Sequence, residues 1–524
     1  MQHRVINQKI NPAFLIASTI LLLGVVIILK TFGEPIKDFG NYYYASKLLV
    51  DAKFTNAIYN NIGHFNALVK DYGEEQYFLN YIPVPPFSLF FYLPFTLFKS
   101  TIAKTLFNLF SLLFFCFSVK RFIEQLNVVN RITWFLPFFL LVPLYTNIAQ
   151  GQSYLLITAL IIETFIAAQI KQNRLAAFYL SICILLKIFP AFLMLHFILK
   201  KNYKLLLWIF IYLISTTTLL LLLLGWPLLH QYFFDIMPRL FNNDVIGPYH
   251  TSNQSLYSLL LNMFTFDELN NASPILQLPS MVPIIESFML AYFLSLFIKM
   301  RHKTDILLFG LNSLLLTLVS RYNPSYSLLM IIPFFIAVSQ KSIPAYKQLF
   351  IIAALTLALY SSFGNAYNNT LLLKYLRILL LCCCYIIFLS HFTIVPSMAT
   401  FVVLFVSLSF IRYFTFSIKP IQYFTVQNTQ GILIDTELNG DSLAITSTLG
   451  DRIIKKSFDL TGNLKKSSRL SIVNNQIVYN GKILTQTSDN KLQAYLFKKD
   501  SIVIVSDLNQ GIRFYKLRKI AVSE

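Results

Sequence analysis

Apolar runs recur from residue 11 to residue 418, many of them close to the roughly 20 residues that a helix needs to cross a bilayer. Hydrocarbon offers no partner to a bare peptide group, so each run has to satisfy its own backbone and is expected to be a helix. Charged residues make up only 13% of the 524 positions, against about 25% in soluble domains. The pattern predicts an α-helical polytopic membrane protein with roughly 11 to 13 membrane segments. The net charge of +20 could suit nucleic acid. Lys and Arg instead gather in short loops, such as Lys200 to Lys204 and Lys299 to Lys303, as the positive-inside rule requires. Membrane lipids are therefore expected partners and nucleic acid is not.

Flanking charge gives the spans a direction. The basic start places the N-terminus on the cytoplasmic side, and no small-x-small cleavage site follows, so residues 11–30 are expected to remain as an outgoing span. Residues 32–82 form an outer loop with a surface helix near Tyr42 to Asp51. In 84–119 the bookkeeping conflicts, because basic clusters lie at both ends of what reads as a single span. Residues 132–149 go out and 153–170 return, which leaves Gln150 to Ser153 outside. Residues 175–199 are too few for two crossings at about 1.5 Å per residue, and a broken or re-entrant pair around Lys187-Ile-Phe-Pro190 follows. Residues 203–224 go out, Trp226 to Gln254 is a second outer loop, 281–299 return and 305–320 go out again. Arg321 to Tyr326 then turns outside, and spans near 327–340, 349–363, 371–390 and 397–418 complete the membrane part. All five cysteines lie inside apolar runs without metal-ligand spacing.

After Pro420 the composition changes. Period-two runs such as Ser442 to Ser447, Gln476 to Tyr479 and Ser501 to Val505 alternate with turn signals at Asn439-Gly440, Gly450-Asp451, Thr461 to Asn463 and Asn480-Gly481. The expected division is a membrane domain over 1–419 and a small all-β accessory domain over 420–524, outside the cell membrane.

The polar groups that this bookkeeping places outside come from distant stretches: Asp38, Gln152, Asn253-Gln254-Ser255 and Arg321-Tyr322-Asn323. Asp38 is either a general base, which must come within about 3 Å of the proton it removes, or the N-cap of the helix that starts near Phe39. Lys187 lies in an apolar stretch and either meets a phosphate or snorkels to an interface. Arg321 has the fork that matches phosphate oxygens, or it anchors at the interface. Asn253 and Gln254 can hydrogen-bond sugar hydroxyls or cap the helix behind Ser255. Asp235, Arg239, Asp244 and His250 of the second outer loop could line the same cleft. The sequence contains no Gly-rich phosphate loop and no paired-aspartate nucleotide-sugar motif, and neither a metal nor a cofactor is expected. A divalent ion would still be compatible with Asp38 as a ligand.

Several motifs then occur in order: Asp38-Phe39 with Tyr42-Tyr43 and Ile58-Tyr59, Tyr81 to Pro86, Pro94, Gly151-Gln152, Asn173-Arg174, Leu186 to Pro190, Lys200-Lys201 and Asn253-Gln254-Ser255. This set resembles glycosyltransferase family 87, polyprenyl-phosphate-dependent mannosyltransferase-like proteins of the C-type membrane superfamily. The resemblance implies an integral protein of a bacterial inner membrane that transfers a sugar with inversion, most often mannose. The donor would be a polyprenyl-phosphate sugar, the acceptor a lipid or glycan, and the site extracytoplasmic. It implies Asp38 as base; the reading of the residues themselves adds Arg321 and Lys187 at the donor phosphate, and Gln152, Asn253, Gln254, Tyr322 and Asn323 around sugar or acceptor. Arg321 to Tyr326 stands where the family often has an aromatic-histidine pairing, and the β tail lies outside the common pattern. The alternatives are a transporter or flippase of lipid-linked glycans, a glycan ligase or polymerase with a lipid-pyrophosphate donor, and a non-catalytic scaffold. A transporter would predict broken helices in an internal repeat, and no convincing repeat is visible.

Overall fold

The computed structural model describes residues 11–415, apart from 56, 61, 74–78, 82, 128–130, 242–252, 267–270, 272, 341, 361–370 and 393, together with strands and short joining segments between 424 and 521. The chain is mostly helical, with small sheets near the C-terminus, and divides into two compact units.

The first unit takes in Met1–Glu34, Leu97–Leu220 and Thr251–Tyr413. Among the described residues, four helices are long and apolar enough to cross a membrane: Pro12–Lys30, Ser100–Leu126, Tyr203–Leu224 and Met281–His302. Shorter apolar helices fill the rest, including Leu136–Gln150, Tyr154–Gln169, Asn173–Leu186, Asp305–Val319, Ala345–Tyr360 and Leu376–Ser390. Local chemistry sets their ends. The Asn11 side chain accepts from the Ala13 amide ahead of Pro12, whose missing N–H costs nothing in a first turn. Gly151, at φ +67°, closes Leu136–Gln150 in the left-handed region. Asp305–Val319 approaches a further short helix, Ile332–Val338, closely at Gly310, where an added Cβ would lie 2.5 Å from the Ala337 Cβ and 2.7 Å from the Pro333 carbonyl oxygen.

The break expected near residue 187 is present. Asn173–Leu186 ends at an extended Lys187 (φ −150°, ψ 127°), Pro190 sits in the 3-10 turn Phe189–Leu193, and Met194–Leu199 completes the segment. The run 84–119, read as a single span, is divided. Phe87–Phe91 and Leu93–Leu97 are short, and one 27-residue helix, Ser100–Leu126, takes up the rest. Lys104 is not a loop charge at all: it is buried on that helix and its amine donates to the Ala149 carbonyl at 2.8 Å. The run expected as one span over 371–390 is interrupted at Tyr375.

The second unit takes in Pro35–Thr96, Leu221–His250 and Phe414–Glu524. The helix expected near Tyr42 to Asp51 runs over Phe39–Val50, but nine of its twelve residues are buried, so it is packed into the unit and does not lie on a surface. Its tail has only antiparallel pairings. A five-stranded sheet orders Phe424–Gln430, Phe514–Ala521, Ser501–Ser506, Lys491–Phe497 and Leu464–Lys465. Leu433–Asn439, Ser442–Leu449 and Arg452–Asp459 make a meander, with Ser442 opposite Asp459. In a third sheet, Gln476–Tyr479 and Lys482–Ile483 are joined by Asn480-Gly481, both at positive φ (49° and 79°), as a tight hairpin demands. Fully buried Ile477 packs with Leu470, Tyr479, Ala494 and Leu496. The turns expected at Gly440, Gly450-Asp451 and Thr461 to Asn463 lie outside the described residues.

Candidate functional site

In the first unit, two turns far apart in sequence are tied together by side-chain amides. Asn253 donates from Nδ2 to the Arg321 carbonyl at 3.0 Å, and its Oδ1 accepts from the Asn323 amide at 3.0 Å. Asn323 in turn reaches the Gln254 carbonyl at 3.4 Å, and its Oδ1 accepts from Ser327 Oγ at 2.6 Å. Ser255, the residue expected to begin the apolar run, caps Leu256–Phe264 by accepting from the Ser258 amide at 3.1 Å. Asn253 and Asn323 are wholly buried, so these bonds replace water outright and hold the turns in one arrangement.

Arg321 lies within this network, 7% exposed. Its Nε and Nη2 donate to the two oxygens of Glu286 at 3.0 and 2.7 Å, and its guanidinium stacks 3.9 Å above the Tyr257 ring. Arg412 approaches the same carboxylate at 3.5 Å. The fork predicted to meet phosphate therefore has a carboxylate on its bidentate edge.

A second arm of the site is aromatic. The Tyr322 hydroxyl lies 3.2 Å from that of Tyr326, whose ring is 5.0 Å from the Tyr154 ring. Tyr154 stacks on Phe189 at 5.7 Å, and the Lys187 amine lies 5.6 Å from the Tyr154 ring centre. Asn147 sets this arm: its Nδ2 donates to the Gln152 carbonyl at 2.9 Å and its Oδ1 accepts from the Tyr154 amide at 3.1 Å. Gln152 is buried and Lys187 half-buried. Lys187 thus sits at a helix break beside a ring, as the expected break implies.

All seven predicted residues of this unit fall into the two arms. Three others were not picked out from the sequence: Glu286, Arg377 and Arg412. Glu286 left a signal, since it is the one acid in the apolar stretch 281–299, and charge inside such a stretch is expensive. Arg377 is 1% exposed; its Nη1 donates to the Asn323 carbonyl at 3.1 Å, and its backbone amide donates to Gln254 Oε1 at 3.2 Å.

In the second unit, Asp38 occupies the N-cap position of Phe39–Val50, half-buried, with no capping hydrogen bond from its side chain. The surroundings are built by amides and rings. Asn66 grips the backbone of Leu79 through two hydrogen bonds of 2.8 and 2.9 Å, and Asn41 accepts from the Asn80 amide. Tyr42 stacks on Tyr92 at 4.7 Å, with Phe39 edge-on to the same ring. The Tyr59 hydroxyl donates to the Val84 carbonyl at 2.8 Å, and burial pushes the Tyr59 and Tyr81 phenols up, so both stay neutral. At the far end of the helix the Tyr72 hydroxyl donates to Asp51 at 2.6 Å and holds that carboxyl below its usual range, with Lys47 and Lys53 adding to the effect against partial desolvation. Asp235 is exposed and Arg239 lies on Met237–Phe241, while Asp244 and His250 lie outside the described residues.

No curated protein matches the chain. The family model for glycosyltransferase family 87 does, over residues 83–320, a stretch that includes Gly151-Gln152, Lys187 to Pro190 and Asn253 to Ser255. This similarity to glycosyltransferase family 87, with four membrane-length helices among the described residues, points to a membrane glycosyltransferase.

Proposed function

We propose that the protein transfers a sugar, mannose in the favoured reading, from a polyprenyl-phosphate donor to a lipid or glycan acceptor, with inversion and at the extracytoplasmic face of a bacterial inner membrane. The fold is then of the C-type, with roughly 11 to 13 membrane segments once the short helices are counted as crossing or re-entrant pieces. Residues 420–524 form its accessory domain. The observation that carries the reading is the family match over 83–320. The convergence of Gln152, Lys187, Asn253, Gln254, Arg321, Tyr322 and Asn323 on two linked turns and one aromatic arm supports it.

In this mechanism Asp38 takes the proton of the acceptor hydroxyl as its oxygen attacks the anomeric carbon, and the lipid phosphate leaves with the bonding electron pair. Lys187 neutralises that phosphate. Arg321 contributes by sharing the anion with Glu286 or exchanging one for the other. Amide groups of Gln152, Asn253, Gln254 and Asn323, with the Tyr322 hydroxyl, orient sugar and acceptor. The hydrogen bonds that now hold Asn253 and Asn323 make this mainly a matter of backbone placement.

Asp38→Asn is the test. The exchange keeps the side chain's shape and removes its charge, and folding and membrane insertion are measured beside transfer. Removing a general base lowers transfer about 10²- to 10⁴-fold. The assay incubates purified protein with a panel of radiolabelled polyprenyl-phosphate sugars and extracted lipids; transfer by the variant at the unaltered rate would sink the mechanism.

A further inference from the structure

The strongest unassigned group is a guanidinium that lies beyond residue 320, where the family match ends. Arg377 is 1% exposed and enters Leu376–Ser390 at its second residue. Its side chain donates to the Asn323 carbonyl at 3.1 Å, and its backbone amide donates to the side-chain oxygen of Gln254 at 3.2 Å. One residue therefore grips both turns of the candidate site, from a third element. Next to it the Lys374 amine donates to Asn262 Oδ1 at 2.9 Å, and Asn262 donates to the Tyr375 hydroxyl at 2.7 Å, so Leu256–Phe264 is fastened to the same segment.

We infer that Arg377 is a positioning residue for donor binding, acting through Asn323 and Gln254. The inference rests on the proposed transferase reading. Physically, the two turns are joined to each other by amide bonds but need an outside reference to fix their orientation. A buried arginine on a separate helix supplies one, because its planar head cannot follow a turn that shifts. Releasing it leaves the reciprocal bonds of Asn253 and Asn323 in place. The turns then persist as a pair but lose their alignment. A hydrogen bond to a charged donor accounts for about tenfold or more in an equilibrium.

The test uses the full-length chain in detergent or nanodiscs, with polyprenyl-phosphate mannose as donor probe. Arg377→Met keeps the volume and removes the donor, and the melting profile is read beside the kinetics. The expected result is a rise of about tenfold in donor KM, a smaller change in kcat, unchanged acceptor KM and an unchanged melting profile. Arg377→Lys, which retains a single donor, recovers part of the loss. A merely structural arginine would instead lower the folded fraction and leave donor KM per folded molecule untouched, and that result overturns the inference. Should Arg377→Met not fold, Arg377→Lys and Arg377→Gln are read for the same shift in donor KM. Unchanged KM in both overturns it equally. Failure of the unaltered chain to transfer from any member of the sugar panel removes the transferase reading itself, a different outcome from normal transfer by the variants.

Discussion

Glu286 is the most informative residue to perturb, because its surroundings give its loss a definite size. Its side chain is 3% exposed, it holds Arg321 through two short hydrogen bonds, and Arg412 lies 3.5 Å away. Glu286→Gln keeps the shape and removes the charge, which leaves two buried guanidinium groups sharing a neutral amide. Breaking a buried pair from one side typically costs about 3–5 kcal/mol, since the remaining charge stays desolvated. The pair Lys200–Asp305 is the internal control. It is as short, at 2.7 Å, but its side chains are 24% and 42% exposed. Asp305→Asn is expected to cost under about 1 kcal/mol, because water and salt already screen the pair. The double variant Glu286→Leu with Arg321→Met should recover most of the loss, as apolar replacement of a whole buried pair often does. Unfolding of the unaltered protein and the three variants in one detergent measures these differences. If Glu286→Gln costs no more than Asp305→Asn, the carboxylate is not the keystone of the cation cluster and the account of Arg321 given above is wrong.

Two further outcomes follow from the same contacts. The Asp51 carboxyl is held below its ordinary value first by the Tyr72 hydroxyl, so its contribution to the loop that carries Phe39–Val50 is present above its unfolded value, about 3.9, and fades as pH falls through the lower folded value. Limited proteolysis of that loop across pH 2–5 should show protection persisting to lower pH in the unaltered protein than in Tyr72→Phe; identical profiles would refute the assignment. Gly310→Ala puts a methyl against the Ala337 Cβ and the Pro333 carbonyl, neither of which can rotate away, and should cost about 1–3 kcal/mol of stability in a thermal unfolding assay.

Much of the helical architecture was legible because period and length are local properties. Residues 203–224 and 281–299 coincide with observed helices, and the interruption at Lys187 followed from arithmetic on a segment too short for two crossings. The amides Asn253, Gln254 and Asn323 were legible as polar residues in apolar surroundings, and the structure brings them within hydrogen-bond reach. What stayed hidden was non-local pairing. Glu286 and Arg321 are 35 positions apart, and Asn323 and Arg377 are 54 apart, with nothing in either local pattern to name the partner. Lys104 misled for the opposite reason: in sequence it looks like topology-setting charge, while in the fold its amine caps the end of a neighbouring helix.

The shortness of the helices around the site has a further consequence. Asp305–Val319 has 15 residues and rises about 22 Å, some 8 Å less than a hydrocarbon slab of about 30 Å. Its residues 306–318 are all buried, so protein rather than lipid lies against it, and its short rise is absorbed within the helix packing instead of at a lipid boundary.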